Sequence, residues 1–445
     1  MLLLSLLLLS LPQGGADTAP QTHWEFPDDQ LEITLPKGFV VGAEQAPPGG
    51  MMLHRWATTI GAYRVDFSLV VVPRAQWGLQ DPFDVMENLA YNRQAEPGGE
   101  SFRFEEEMIF EGPFGAMPFA SVATAAKWNV TERIGTEFFL GGLTADKGYS
   151  IRLQCQPAAD KPTRAAILKF FREGVVYVGE VENPLWTKEE AFARWEKDRP
   201  RAFGGELKIV RTKHYIIFTN SSSDKLFAKK MEEYYDAIQA TFPFPEVKGR
   251  KLMPVFLFRT GEEYFEYYAT IAQISKQVAA KSKGHAWRDY YATYYDSPVD
   301  PVHIHEATHQ IFSNRLKLGG GGSWFQEGVA EYMSTQPNER KGYARNAAKH
   351  AGQTPFQEFV LIPSLLQSAG KSATGEDMAQ NHYLQAASII DFARNSKFGK
   401  KKFDDFLQTM GSQRFADLDT IEAAMQRVYG IDLAGFEAEW VKYWD

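Results

Sequence analysis

The sequence predicts an α+β protein made of two successive domains. Short β-rich runs separated by turn residues dominate the first 180 residues and are interrupted by only two helical patterns. After residue 206, strand and helix patterns are mixed, and the remainder of the chain is mainly helical. A chain of 445 residues also exceeds the usual size of a single core. We therefore expect an antiparallel-sheet α+β domain, followed by a mixed sheet with a helical half.

The chain begins with a run of leucine and serine over residues 2–11. This run is too short to span a bilayer, but it has the length of the apolar segment of a signal peptide. Gly14, Gly15 and Ala16 are small enough for a cleavage site, so we predict a signal peptide over residues 1–16. The expected protein is bacterial, secreted or periplasmic, and without a transmembrane segment after cleavage. An uncleaved anchor is the alternative, because no Lys or Arg stands near Met1.

Five strands and two helices are predicted in the first domain, which we place at residues 23–200. The helices are expected at 81–93 and 163–172, the second ending at Gly174 as a C′ glycine. The single Cys155 cannot form an intrachain disulfide, so packing alone must stabilise the domain. No catalytic grouping is visible, and a binding or targeting module is the hypothesis. The predicted strands are 31–35, 63–72, 102–110, 136–140 and 149–155.

The second domain is placed at residues 206–445, because Pro200, Gly204 and Gly205 mark a boundary. Its strands are predicted at 207–219, 253–258 and, in an aromatic-rich stretch, 284–295. Its helices, apart from the two discussed next, are predicted at 224–241, 262–279, 354–367, 378–395, 401–410 and 418–429.

Two histidines four residues apart stand on one predicted helix, with Glu306 between His305 and His309. Residues i and i+4 share one helix face, so both imidazoles can reach one ion while Glu306 lies beside it as a base. Asp300-Pro301 predicts the start of this helix, as an N-cap followed by proline at the first position. A core helix with two incidental histidines is the plain alternative.

A catalytic zinc usually takes three protein ligands, so the two histidines require a partner. The four-glycine stretch 319–322, expected to be a mobile loop at the cleft, precedes Ser323 and Gln326, which have the spacing of a capping box. On the helix expected from about Trp324, Glu327 is the predicted third ligand. Glu331, one turn further on, would accept a hydrogen bond from a ligating imidazole. Two solvated surface glutamates are the alternative.

His305-Glu306-x-x-His309 followed by residues 324–332, Trp-Phe-Gln-Glu-Gly-Val-Ala-Glu-Tyr, resembles the gluzincin metallopeptidases. The similarity is greatest to the peptidase-MA-like domains of bacterial exported proteins, and it covers about residues 206–445. It implies Glu327 as the third zinc ligand. The interval from His309 is slightly shorter than in well-known members. Residues 35–39 and the element order of the first domain loosely resemble PsbP-like domains.

Zinc on His305, His309 and Glu327 would lower the pKa of its water, and Glu306 would take the proton and pass it to the leaving amine. Resemblance to aminopeptidase-like gluzincins implies Tyr383, in Tyr-Leu-Gln-Ala, as the donor to the developing oxyanion. Its neighbour His382 is the competing donor, and a Tyr that only packs is the alternative.

The aromatic stretch before the motif helix could be an edge strand that pairs with an extended peptide, or simply packed sheet. His285 within it is expected to be structural or surface-exposed rather than a ligand. The net charge of −8 argues against a nucleic-acid partner.

The predicted function is therefore an exported zinc metallohydrolase, most simply a peptidase acting on peptide or protein substrates. A zinc-binding scaffold or interaction protein of the cell envelope is the alternative hypothesis. A lipid or glycan hydrolase that uses the same zinc water is a third class.

Overall fold

The fold is α+β, with antiparallel and mixed sheets and a helical C-terminal half, as predicted. The computed structural model describes residues 22–35, 37–38, 40–41, 52–60, 63–79, 81–85, 104–125, 133–180, 208–244, 246–247, 249–287, 290–297, 299–366, 368, 378–413 and 417–445. The signal-peptide prediction, the boundary near residue 200 and most of the predicted helix 81–93 lie outside these ranges; residues 82–85 are helical. Among the described helices, none is long and apolar enough to cross a bilayer.

The chain divides into two compact units. The N-terminal unit comprises Met1–Thr187 and Pro245–Leu252, and the C-terminal unit comprises Lys188–Phe244 and Met253–Asp445.

The N-terminal unit contains ten described strands: β1 His23–Phe26, β2 Leu31–Thr34, β3 Val40–Val41, β4 Met52–Ile60, β5 Tyr63–Pro73, β6 Phe104–Gly112, β7 Gly115–Ala125, β8 Arg133–Leu143, β9 Lys147–Gln156 and β10 Val175–Tyr177. Its described helices include α1 Arg74–Trp77 and α2 Lys161–Glu173, besides the helical residues 82–85. Seven strands form an antiparallel sheet in the order β3-β4-β5-β9-β8-β7-β6, and β1-β2-β10 form a small second sheet. All five predicted strands are present, with shifted ends.

The sequence prediction missed the described strands β1, β3, β4, β7 and β10. Of these, the long strands β4 and β7 are hairpin partners of predicted strands, with Ile60 opposite Tyr63 and Gly112 opposite Gly115. The sequence prediction also assigned Gly174 the wrong role. This glycine follows α2, but its φ is −94°, which any residue adopts. A Cβ there would lie 2.4 Å from the Phe170 ring and 2.9 Å from the Thr34 carbonyl oxygen, so close packing requires the glycine.

The C-terminal unit contains five described strands: β11 Lys208–Arg211, β12 Tyr215–Thr219, β13 Met253–Phe258, β14 Gly284–Trp287 and β15 Tyr290–Tyr294. Its helices are α3 Asp224–Thr241, α4 Gly261–Ala272, α5 Lys276–Ala279, α6 Pro301–Ile311, α7 Gly322–Ser334, α8 Pro337–His350, α9 Phe356–Phe359, α10 Met378–Asn395, α11 Phe403–Gly411, α12 Leu418–Tyr429 and α13 Leu433–Trp444. The sheet order is β11-β12-β13-β15-β14. The inner strands are parallel, whereas β11 and β14 run antiparallel to their neighbours.

Several predicted elements of this unit are wrong in detail. The single strands 207–219 and 284–295 are each a hairpin. The helix 262–279 is interrupted at Gln273, whose φ of 55° is left-handed. Within the described residues 354–366, the only helix is the short α9. Helices α8 and α13 were not predicted. By contrast, α3, β13, α10 and α12 have the predicted bounds.

The motif helix α6 lies in a continuous hydrophobic core. Ala307 and Ile311 are fully buried in the same cluster as Val255 of β13 and Met231 of α3. The Gln310 amide donates to the Pro254 carbonyl oxygen at 2.9 Å and so connects the helix to the sheet. This packing fixes one face of α6 and leaves the face with His305, Glu306 and His309 only partly buried.

Candidate metal centre

Helix α6 begins where the sequence predicts. The Asp300 carboxylate accepts a hydrogen bond from the Val302 amide at 3.1 Å, and Pro301 occupies the first helical position. These two local signals satisfy a free amide and fix the start of the helix. The start sets which face carries each histidine, because side chains repeat about every 3.6 residues.

Helix α7 forms as predicted, but its capping box does not. The helix begins at Gly322, one residue before Ser323, and its N-cap Gly321 has a φ of 83°. The Ser323 hydroxyl accepts instead from the Leu365 amide at 3.1 Å. The Gln326 amide donates to the carbonyl oxygens of Leu318 and Gly320 at 2.8 and 2.5 Å. Tertiary partners therefore replace the local cap.

The glycine loop 319–322 is held by backbone hydrogen bonds that the sequence did not predict. The Gly320 amide donates to the Gly411 carbonyl oxygen at 2.7 Å, and the Gly321 amide donates to that of Gln413 at 3.0 Å. A Cβ on Gly320 would lie 2.0 Å from the Gln413 oxygen, so the approach requires glycine. Gly319 lines the cleft. The mobility of the loop stays a prediction.

Three ligand-type atoms converge where α6 and α7 face each other. His305 Nε2 lies 3.2 Å from Glu327 Oε2, and His309 Nε2 lies 3.3 Å from the same oxygen. The two Nε2 atoms are 3.2 Å apart. The structure thus brings together the three residues that the sequence proposed, in a nearly equilateral triangle, at one wall of a cleft of about 860 Å³.

The size of this triangle fits a tetrahedral metal ion. Ligand atoms about 2.0–2.1 Å from a tetrahedral centre are about 3.3 Å from one another, by geometry alone. The three measured separations of 3.2, 3.2 and 3.3 Å agree with that value. Two imidazole nitrogens and a carboxylate oxygen are also donors that suit zinc. The residues present therefore fit the ion that the sequence implies.

Electrostatics favour a positive charge at the same point. Burial would lower the pKa of His305, but its hydrogen bonds with Glu327 and Glu331 raise it to about 10. Burial would raise the pKa of Glu327, but His309 and His305 lower it well below the ordinary range. In the protein without metal, a proton held by the cluster supplies this charge. A divalent cation would displace it, because ligating imidazoles must be neutral.

Glu331 lies on the outer side of His305, as proposed. Its Oε2 is 3.3 Å from His305 Nδ1, the nitrogen that faces away from Glu327. The hydroxyls of Ser334 and Thr335 donate to the two oxygens of Glu331 at 3.2 and 2.7 Å. An acceptor on Nδ1 fixes the tautomer that leaves Nε2 available for a metal.

Ser334 and Thr335 were missed by the sequence analysis. Part of their signal was available, because Ser334 follows Glu331 by three residues on the same face of α7, whereas Thr335 is the extended residue that ends the helix.

Glu306 is one residue beyond His305 and is directed toward strand β14. Its Oε2 accepts a hydrogen bond from the Ala286 amide at 2.7 Å. Burial raises the pKa of Glu306, although the two histidines oppose this. A carboxyl group with a raised pKa beside a candidate metal centre is suited to accept and return a proton.

Tyr383 and not His382 faces the centre. Tyr383 lines the cleft, and its ring centroid is 6.2 Å from that of His305. Burial raises its pKa, and Glu327 adds to this rise, so the phenol keeps its proton as a donor must. His382 is buried on α10, with its ring nitrogens 3.0 Å from Thr354 Oγ1 and 2.9 Å from Ser368 Oγ.

Strand β14 lies at the edge of the described sheet and lines the cleft. Two of its backbone groups already have partners, because the Ala286 amide donates to Glu306 and the Gly284 carbonyl oxygen accepts from Ser282 at 2.5 Å. A peptide that added to this edge would therefore need other backbone groups or would displace these. His285 is not part of the triangle and contacts Tyr264 and Tyr290 instead.

Comparison with known proteins adds no relative: no protein-family model matches the chain, and no curated protein matches it. The geometry of this centre is therefore the basis on which the function is inferred.

Proposed function

We propose that this chain is a zinc-dependent hydrolase, and specifically a peptidase of the gluzincin type. The triangle of His305, His309 and Glu327, at separations suited to a tetrahedral ion, is the observation that carries the proposal. It is supported by Glu306, which adjoins the triangle and lines the same cleft. Three protein ligands leave the fourth tetrahedral position for water or substrate, as hydrolysis requires.

Zinc at this position supplies a Lewis acid that polarises a carbonyl and lowers the pKa of water. Glu306 accepts the proton of the attacking water and returns it to the leaving amine. The Ala286 amide orients Glu306 by its 2.7 Å hydrogen bond. Tyr383 donates its hydroxyl proton in a hydrogen bond to the oxygen that gains charge as the carbon becomes tetrahedral.

The Glu331 carboxylate keeps His305 in the tautomer with a free Nε2. Ser334 and Thr335 hold Glu331 in turn. The chain thus contains every side chain that such a reaction needs from the protein: three ligands, a proton carrier, a hydrogen-bond donor and an orienting carboxylate.

A peptide-library digest tests the proposal. The zinc-loaded wild type is compared with Glu306→Gln and with Glu266→Gln, a matched control on an exposed residue of α4. Removing a general base typically lowers the rate about 10²–10⁴-fold. We expect the Glu306 variant to bind zinc and lose cleavage to this extent, while the control cleaves normally.

Cleavage that persists in Glu306→Gln would overturn the proposal. Zinc binding without any Glu306-dependent cleavage would instead support a zinc-binding scaffold.

A further inference from the structure

One wall of the cleft is formed by aromatic side chains from α4 and β14. Tyr268, His285 and Trp287 all line the cleft that contains Glu306. The rings of Tyr268 and His285 stack, with centroids 4.3 Å apart and planes within 20° of each other. We call these three residues the aromatic wall. It begins beside the reacting groups, because Ala286, between His285 and Trp287, donates to Glu306.

The aromatic wall is rigidly supported from behind. Tyr264 is fully buried, and its hydroxyl lies 3.0 Å from His285 Nδ1. The Tyr290 hydroxyl lies 3.3 Å from His285 Nε2. The Tyr264 ring also lies nearly parallel to that of Tyr268, at a centroid distance of 5.9 Å. Since both ring nitrogens of His285 face hydroxyls, its orientation is fixed.

The aromatic wall is also uncharged. Burial lowers the pKa of His285 to about 3, so the imidazole is neutral near pH 7. Lys283 is the described lysine nearest in sequence, and its ammonium is 2.6 Å from Asp300 and 3.7 Å from Asp296. Glu306 is the carboxylate next to the wall, and it is bound to the strand through Ala286. Lys283 also lines the cleft, but an acidic side chain of a substrate would have to compete with Asp300 and Asp296 for its ammonium group.

Apolar surface is exposed in the same cleft, where folding alone does not require it. Trp287 is 46% exposed and Leu366 is 60% exposed, and both line the cleft. Leu384 lines it as well. Apolar side chains gathered in a concave site commonly mark a place where a ligand removes them from water.

We propose that the aromatic wall is a specificity subsite that selects an uncharged aromatic or large aliphatic side chain of the substrate, close to the bond that is cut. This proposal rests on the proposed peptidase function and names its substrate class: peptides with such a residue next to the scissile bond. The ring of Tyr268 supplies the contact surface, so Tyr268 is a specificity-determining residue. It has no role in proton transfer.

Matched peptides that differ at one position test this proposal, with Phe, Leu, Asp, Lys or Gly beside the scissile bond. Pocket contacts of this size typically change kcat/KM by about 10–200-fold. We expect the zinc-loaded wild type to favour the Phe and Leu peptides over the Asp, Lys and Gly peptides by a factor in this range. Tyr268→Ala should remove most of that preference, whereas Tyr268→Phe should keep it.

Binding of the same peptides to zinc-loaded Glu306→Gln, measured by calorimetry, gives a second readout that does not require cleavage. Tighter binding of the Phe peptide that is lost in a Tyr268→Ala, Glu306→Gln double variant supports the subsite even if the natural reaction is different. Equal binding of all peptides, no binding, or preference for Asp or Lys overturns it. Glu306-dependent cleavage without the Phe and Leu preference would overturn the subsite alone and leave the peptidase proposal standing.

Discussion

The two units of this protein use buried charge in different ways. In the N-terminal unit, Arg250 Nε lies 2.7 Å from Asp81 Oδ2, with side chains only 4% and 8% exposed, and Arg152 lies 2.7 Å from Glu137. Each charge there has an opposite charge beside it. In the C-terminal unit, two imidazoles and a carboxylate converge at 3.2–3.3 Å. Paired charges support the fold, whereas converging ligand atoms favour an added cation.

The C-terminal unit also contains a buried ion pair. The difference therefore lies between individual sites and not between the two units as wholes. Arg340 Nε donates to Asp391 at 3.1 Å, and both side chains are buried. The same guanidinium donates to the carbonyl oxygens of Tyr332 and Thr335 at the end of α7. This pair therefore anchors the helix that carries Glu327 and Glu331, and it is separate from the candidate centre.

The largest expected effect concerns a paired charge. Replacing Arg250 by Ala leaves Asp81 buried without its partner, and breaking a buried pair in this way typically costs about 3–5 kcal/mol. We expect the free energy of unfolding of the N-terminal unit to fall by this amount in denaturant titrations. Zinc affinity should not change. A loss of zinc binding in this variant would show that the buried ion pair and the candidate metal centre are not independent.

Removal of a metal ligand should weaken zinc binding but leave the stability of the metal-free protein nearly unchanged. His309→Ala is expected to weaken zinc binding by more than about 100-fold, or about 3 kcal/mol, since each ligand contributes a comparable share of the binding energy. The metal-free variant should unfold at nearly the same denaturant concentration as metal-free wild type. Calorimetric zinc titration and chemical unfolding of both proteins check this. Strong destabilisation of the metal-free variant would indicate a structural role instead.

Zinc itself should stabilise the C-terminal unit. Because the triangle forms only in the folded chain, zinc at 100 times its dissociation constant is expected to add about 2.7 kcal/mol to the free energy of unfolding. Thermal unfolding with zinc, and again after addition of a chelator, measures the effect. It should be absent in His309→Ala. An equal shift in that variant would place the zinc elsewhere.

Glu331 should have a smaller effect than the ligands. Glu331→Gln weakens the acceptor on His305 Nδ1, and loss of such a partner typically costs 10–100-fold in metal affinity or activity, or about 1.4–2.7 kcal/mol. Competition with a coloured chelator measures the affinity. Unchanged affinity and activity would show that the 3.3 Å contact does not orient the imidazole.

The smallest expected effect is that of Thr335→Val, which keeps the shape of the side chain but removes the hydroxyl that donates to Glu331. One net hydrogen bond is worth about 1 kcal/mol, so we expect about a fivefold loss of zinc affinity. The same chelator competition measures it. An effect larger than that of Glu331→Gln would contradict the proposal that Thr335 acts on the metal site through Glu331.

The candidate site could be predicted from sequence largely because its signals are local. Asp300-Pro301 fixes the start of α6, and the spacing of His305 and His309 then places both on one face. The position of Glu327 was also inferred from the spacing along a single helix. Tertiary packing makes the two helices face each other. In the sequence, only the resemblance to gluzincin metallopeptidases indicated this arrangement.

The errors arise where tertiary contacts replace local ones or where the local signal is weak. Ser323 was expected to cap α7, but its hydroxyl accepts from Leu365, which is far away in sequence. The stretch 207–219 was predicted as one strand because its turn, residues 212–214, includes no glycine or proline that would signal it. Helix α8 is mostly polar and so has a weak periodic pattern, although Gln336 and Glu339 form a capping box at its start.

The proposed function depends on one metal ion bound by His305, His309 and Glu327. The zinc content of the purified protein measures this binding after dialysis against zinc buffered well above the wild-type dissociation constant and well below that expected for His309→Ala, with Glu306→Gln and His309→Ala alongside. We expect one zinc per chain in wild type and Glu306→Gln, and almost none in His309→Ala. Wild-type protein without stoichiometric zinc, or His309→Ala that binds as much zinc as wild type, would contradict the assignment of these three ligands.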